Sequence, residues 1–135
     1  MPDSTSLPIS EFSDIANAAK MLADEIHAAP TGQFGHKDVR LVEQQMNMRS
    51  LVCTKLLLTS LLAHAGAKYM AEQSSAAREK LATLLTRIEN NTEDDTRYYR
   101  HLPFNENFMY LRAMRILNRA TRHATDVLAG FWTEV

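Results

Sequence analysis

Four arginines near the C-terminus are the residues whose type and spacing most directly indicate chemistry. Arg112, Arg115, Arg119 and Arg122 follow one another at spacings of three, four and three. On an α-helix they share one face and form a row about 15 Å long, which we call the arginine row. Neighbouring like charges on a helix cost about 0.3 kcal/mol per pair, so local stability does not favour the row. The row therefore implies an anionic group opposite it.

Three kinds of anion fit the arginine row, and the sequence leaves them open. Phosphate is one, because a guanidinium binds it through two parallel hydrogen bonds and stays charged at any working pH. Arg97, Tyr99 and Arg100 would extend a phosphate-binding face, since aromatic and arginine planes stack on unpaired bases. The carboxylates of a protein partner are the second kind. The third is the acidic side chains of the same chain, with Asp14, Glu25, Glu89 and Asp126 as candidates.

The distribution of charge is more informative than its sum. The chain has 135 residues and a formal net charge of −1, so no overall field would draw it onto nucleic acid or an anionic membrane. Residues 1–35 nevertheless contain five acids against one lysine, and residues 96–125 contain six arginines against one glutamate. Either the acidic first helix pairs with the arginine-rich last helix inside the protein, or the two helices present an acidic and a basic face to partners. Whether the acidic first helix covers the arginine row is not decided by the sequence.

A long apolar segment is the second feature that indicates function. The pattern predicts a second helix from near His36 to about Ala71, with Gly66 as its only weak point. Its middle, residues 51–67, is apolar nearly all round, so it must be covered on all sides. The segment is marginal in length for a membrane span and contains Lys55 and His64, which indicates a core helix. Surplus apolar surface there predicts a protein interface at Leu51, Leu58, Leu61 and Leu62.

The patterning predicts an all-α fold: a helical bundle of about four main helices plus one short helix, with a long central second helix. Residues 1–8 are predicted to be a flexible tail and residues 9–135 a single domain. Ser10 would cap the first helix and Pro30 would follow its end. Ser74 or Ser75 would cap a third helix ending at Asn90-Asn91, and a short helix would span residues 93–101. Asn105 would cap the last helix, which runs to about Gly130.

The sequence contains no recognisable catalytic or metal motif. The Glu-x-x-His pairs that build di-iron helical bundles are absent, and so is the Gly-x-Ser-x-Gly turn of α/β-hydrolases. The single cysteine, Cys53, has apolar neighbours and is predicted to be a buried, unreactive thiol. We therefore expect no enzymatic activity, no cofactor and no metal. One cysteine and the lack of a signal-peptide pattern favour a cytoplasmic location.

Two functional hypotheses of different class follow. The first is a non-catalytic assembly or adaptor subunit that acts through protein–protein contacts, as an oligomer or as part of a complex. The alternative is a small helical subunit of a nucleoprotein complex, in which the arginine row tracks a nucleic-acid backbone without sequence specificity. A protein partner or a second copy of the chain is the expected ligand, nucleic acid is the alternative, and no membrane is expected.

Overall fold

The computed structural model describes residues 6–28, 39–98 and 108–130, and these contain four helices and no strand. Helix α1 spans Ser6–Ala28, α2 Val39–Glu72, α3 Ser75–Tyr98 and α4 Phe108–Ala129. Side chains are described for residues 9–28, 47–94 and 108–130. The all-α fold class is confirmed. The predicted cap Asn105 lies outside the described residues, as do residues 1–5 of the predicted tail.

Helix α1 begins earlier than predicted and ends where the sequence indicated. It starts at Ser6, so residues 6–8 are helical and Ser10 is not its cap. Pro8 does not prevent this start, because the first turn of a helix leaves its backbone N–H groups unpaired in any case. The helix ends at Ala28, two residues before Pro30. Its predicted apolar positions are all buried in the core: Phe12, Ile15, Ala19, Leu22 and Ile26.

Helix α2 runs unbroken through Gly66. The glycine serves close packing, because a Cβ built at Gly66 would lie 2.2 Å from Cζ of Phe12 on α1. The Phe12 ring also stacks on His123 of α4, with ring centroids 4.4 Å apart and planes tilted by 54°. One buried ring therefore joins α1, α2 and α4 at a position where only a glycine leaves it room.

A two-residue connection turns the chain from α2 into α3. Gln73 adopts a left-handed conformation with φ of 52°, and its N–H donates to the carbonyl of Tyr69 at 2.6 Å, which closes the end of α2. The Ser74 hydroxyl accepts a hydrogen bond from the N–H of Ala77 at 3.1 Å, so Ser74 is the N-cap of α3. This confirms one of the two caps predicted from the sequence. A connection this short makes α2 and α3 antiparallel neighbours.

Helix α3 is longer than predicted. It continues through Asn90-Asn91 to Tyr98, so the described residues contain no separate short helix from residue 93 onward. Asparagine and threonine disfavour helix interiors because their side chains compete for nearby backbone groups. Here the side chains of Asn91 and Thr92 instead accept hydrogen bonds from Nζ of Lys55 on α2, at 2.9 and 3.4 Å. Because these side chains bind Lys55, they do not compete for the backbone hydrogen bonds of α3. The helix therefore continues through the position where the sequence predicted its end.

The contacts between helices define alternating chain directions. Phe12 near the start of α1 meets Gly66 near the end of α2, while Arg49 of α2 donates to the Ile26 carbonyl in the last turn of α1, at 3.4 Å. Arg78 near the start of α3 donates to the Leu128 carbonyl at the end of α4, at 2.9 Å. Helices α1 and α3 therefore run one way, and α2 and α4 run the other way.

Two apolar clusters form the core. The four-helix cluster takes residues from every helix, whereas α3 contributes no described side chain to the three-helix cluster. Helix α3 thus covers α2 with apolar residues along only part of its length. The largest members of the four-helix cluster are Phe12, Ile15, Leu62, Met70, Leu81, Leu85, Ile88 and Leu117. Those of the three-helix cluster are Leu22, Ile26, Met48, Leu51, Val52, Leu56 and Tyr110.

Gly66→Ala is expected to destabilise the protein although alanine is the better helix former. Crowding of the Phe12 ring should cost about 1–3 kcal/mol, against a gain of about 1 kcal/mol in helix propensity. A fall in the free energy of unfolding by chemical denaturation checks this. In a Phe12→Leu background the ring is gone, so Gly66→Ala should become neutral or stabilising.

Ala82→Gly is the matched control, since Ala82 is exposed in the interior of α3 and does not contact the Phe12 ring. It should destabilise by about 1 kcal/mol through propensity alone, with or without the Phe12 ring. If Gly66→Ala stabilises the wild-type chain, the close approach of Phe12 to α2 is contradicted.

Candidate functional site

The structure divides the arginine row into two lines of two residues. Residues seven apart on a helix lie nearly in line, so Arg112 and Arg119 form one line and Arg115 and Arg122 the other, about 60° around the helix. The first line faces α1. Arg112 Nη2 lies 2.7 Å from Oε2 of Glu25, and Arg119 Nε lies 2.7 Å from Oε1 of Glu11.

The Glu11–Arg119 pair changes the ionisation of both groups. The hydrogen bond from Arg119 holds the pKa of the Glu11 carboxyl below its ordinary value; partial burial opposes this, and the charges of Arg119 and His123 add to it. The same hydrogen bond raises the pKa of Arg119, with the negative charges of Glu11 and Asp14 contributing. The acidic first helix therefore neutralises one line of the arginine row. For these two arginines, the anion opposite the row belongs to the same chain.

Arg112 is held by more than its carboxylate. Its Nη1 lies 3.6 Å from the sulfur of Met109, and its guanidinium carbon lies 5.9 Å from the centre of the Phe108 ring. These contacts, with the ion pair to Glu25, fix the side chain along the α1–α4 boundary. Of the four acids considered in the sequence, only Glu25 forms an ion pair with the row among the described residues, and Glu11 was not among the four.

Arg115 and Arg122 form the second line and are exposed. Within the described part of the chain, neither has an ion pair or a hydrogen bond to another residue. They lie about 10 Å apart along the helix axis. The other predicted members of this face are not placed: Tyr99 and Arg100 lie outside the described residues, and the side chain of Arg97 does too.

The structure separates the four leucines predicted to form an interface. Leu51 and Leu62 are core residues, in the three-helix and four-helix clusters respectively, so in this fold they cannot contact a partner. Leu58 is half-buried against the core, and Leu61 is 45% exposed. Leu57, which the sequence did not single out, is 60% exposed. The sequence showed that α2 is apolar on all sides, but not which side its neighbours leave open.

Leu57 and Leu61 lie one turn apart on the outer face of α2, and a groove between α2 and α3 continues from them. The groove has a volume of about 340 Å³ and is lined mostly by apolar surface, including Leu61, Ala65, Ala77 and Leu84. Polar side chains at its edge include His64, Lys68, Glu72 and Lys80. We call this feature the α2–α3 groove. His64 is exposed and lies in this lining.

Lys55 is a buried lysine whose contact with α3 the sequence analysis did not predict. Its side chain has no solvent exposure, and its Nζ donates to Asn91 Oδ1 and Thr92 Oγ1 on α3. Thr59, also fully buried, donates its hydroxyl to the Lys55 carbonyl at 2.7 Å. A lysine amid leucines in a helix apolar on all sides is the signal that could have found it. Its described contacts tie α2 to α3, which is a structural role.

Arg78 also has a structural role, which the sequence analysis did not predict. Besides the Leu128 carbonyl, its Nη1 donates to the Tyr69 hydroxyl at 3.3 Å, and its guanidinium carbon lies 6.0 Å from the centre of the Tyr69 ring. It thereby joins the end of α2, the start of α3 and the end of α4. Helix ends leave carbonyls without partners, and Arg78 satisfies one of them.

The described residues contain no group of three or more histidine, cysteine, aspartate or glutamate side chains that could hold a metal ion. Cys53 is a free thiol and is half-buried, so it is less enclosed than predicted.

Residues Asn47–Glu72 of α2 are long and apolar enough to cross a membrane by length and composition alone, and half of the most apolar window is buried inside the protein. Core helices meet the same criterion.

No known protein family matches this sequence, and neither the curated proteins nor the solved structures contain one that is detectably similar to it. Functional inference therefore rests on the chain's own geometry.

Glu11→Gln is expected to lower the free energy of unfolding at neutral pH by about 0.5 kcal/mol, the usual size for a partly exposed pair. Because the pKa of Glu11 is depressed in the folded protein, its stabilisation is present above the ordinary glutamate pKa and is lost as pH falls through the depressed value. The difference between wild type and variant should therefore shrink below about pH 4.

Denaturant unfolding across pH measures this difference, and 1 M salt should reduce it. Glu79→Gln is the control, because Glu79 is exposed and forms no ion pair among the described residues. Equal stability of Glu11→Gln and wild type at every pH would contradict a stabilising role for the Arg119 pair.

Proposed function

We propose that this protein is a non-catalytic helical assembly subunit that binds another protein chain through the outer face of α2. The observation that carries the proposal is the exposure of Leu57 and Leu61, at 60% and 45%, on adjacent turns of one helix. Single exposed leucines are ordinary on protein surfaces, but neighbouring ones beside an apolar groove form a contiguous patch. Burying such a patch against a partner is favourable by about 25 cal/mol per Å².

The arrangement of α2 supports this proposal. Three helices cover α2 on its other sides, and their alternating directions support a four-helix bundle with α2 as its spine. The remaining side keeps apolar residues where a solvent-facing helix normally carries polar ones. A leucine exposed to water gains no free energy from burial of its side chain, whereas a leucine buried at an interface does.

The proposal also takes the protein to be cytoplasmic, with α2 as a core helix rather than a membrane span. The single cysteine supports the first statement. Burial of Lys55 against the polar side chains of α3 supports the second, because this contact needs the packed protein around it. No catalytic step is part of the proposal.

The test is sedimentation velocity and apolar-dye binding of wild type and of a Leu57→Ser/Leu61→Ser variant. The wild-type chain should either form an oligomer that the variant loses, or bind the dye with at least about twice the signal of the variant. Met21→Ser is the control, since Met21 is 70% exposed on α1 and should leave both readouts unchanged. A wild-type monomer that binds no dye, like the variant, would sink the proposal.

A second candidate function is supported by a separate observation. Arg115 and Arg122 are exposed cations without partners among the described residues, while Arg112 and Arg119 are occupied by α1. Two free guanidinium groups about 10 Å apart suit contact with a nucleic-acid backbone. Pairing with α1 leaves two of the four arginines of the row for such a contact.

Binding of a labelled random single-stranded oligonucleotide across a salt series tests this candidate. Two phosphate contacts should give a log–log slope of about −1.4, since each contact on single strands contributes about −0.7. Arg115→Glu/Arg122→Glu should abolish binding while helicity is retained, and Lys20→Glu, an exposed charge reversal on α1, should not. Binding that survives the double reversal eliminates this function.

A further inference from the structure

The charges at the edge of the α2–α3 groove are not balanced within the protein. Lys68 and Lys80 line the groove, and Arg87 lines a depression that shares Lys80 and Leu84 with it. Each of these three cations is exposed and has no ion pair or hydrogen bond among the described residues. Glu72 and Glu79 lie in the same surface and leave it with one net positive charge.

The two exposed leucines and the groove together form one elongated region of the surface. Leu57 and Leu61 lie at one end, and the groove follows α2 to Glu72 at the other. Fifteen residues of helix separate Leu57 from Glu72, a distance of about 22 Å. A helix of about four turns has the same length, and a groove between two helices with apolar residues in its lining is a surface that accepts one.

We propose that the α2–α3 groove binds one amphipathic α-helix of a partner protein, with leucine-like residues on one face and aspartate or glutamate beside them. The apolar residues contact Leu57, Leu61 and Leu84, and the carboxylates lie against Lys68, Lys80 and Arg87. This inference rests on the proposed function and specifies its partner by chemistry. Apolar contacts supply most of the affinity, and the charges set partner choice and orientation.

A second copy of the chain fits this groove less well. Two copies facing each other through the groove would bring two surfaces of net positive charge together, and like net charges oppose association. The described helices also offer no suitable ligand. The apolar stripe of the acidic helix α1 is buried in the core, and among its described side chains Met21 is the only large apolar one that is exposed.

The experiment selects helical peptides against the full chain from a displayed library of about four turns in length. Leucines are fixed at i, i+3 and i+7, and the flanking positions are randomised. Enriched peptides should be rich in aspartate and glutamate at the flanks. Their affinity should fall at least tenfold on Lys68→Glu/Lys80→Glu, remain unchanged on Lys20→Glu, and be lost on Leu57→Ser/Leu61→Ser. Peptides whose acids are replaced by lysine should prefer the Lys68→Glu/Lys80→Glu chain.

Each other outcome overturns the proposal and bears differently on the function. Enriched peptides that need Leu57 and Leu61 but show no acidic preference would leave the protein-binding function standing and remove the partner assigned here. A dimer of the wild-type chain that Leu57→Ser/Leu61→Ser dissociates would place a second copy in the groove. No enriched peptide, together with a monomer that binds no apolar dye, would remove both the inference and the proposed function.

Discussion

The Phe12 ring lies against the backbone of α2 at Gly66 and beneath the ring of His123, and the placement of α1 depends on this contact. A glycine there lets α1 approach α2 more closely than any side chain would allow. With α1 held in that position, its carboxylates at Glu11 and Glu25 come within ion-pair distance of α4. The pairing of charges between α1 and α4 therefore depends on how α1 packs in the core, with Phe12 as its closest approach to the backbone of α2.

The ion pairs between α1 and α4 explain how a chain of near-zero net charge carries so polarised a sequence. Glu11 and Glu25 pair with one line of the arginine row and so reduce the repulsion within α4. Such partly exposed pairs contribute little to stability by themselves. The second line, Arg115 and Arg122, is turned away from α1 by about 60° and keeps its charge exposed. Internal pairing and an exposed cationic face are therefore both present on the same helix.

The other three helices cover the apolar surface of α2 unevenly. Helices α1 and α4 bury one side of α2, and α3 buries another with apolar core residues that, among its described side chains, reach only to Ile88. At Lys55 the contact between α2 and α3 is polar, because its amine donates to Asn91 and Thr92. The outer face keeps Leu57 and Leu61, and the groove beside them lies between α2 and α3 and extends to Ser74 in the two-residue connection. The proposed protein-binding function depends on this incomplete coverage.

The sequence by itself determined the helices and their apolar stripes, because helical periodicity, prolines and caps act within a few residues of each other. It correctly indicated the all-α class, the end of α1, the Ser74 cap and the buried positions of α1. The tertiary structure alone decided that α3 continues through Asn91, that Gly66 serves Phe12, and which arginines and leucines stay exposed. These outcomes depend on contacts between residues far apart in sequence, and spacing along a single helix carries no information about them.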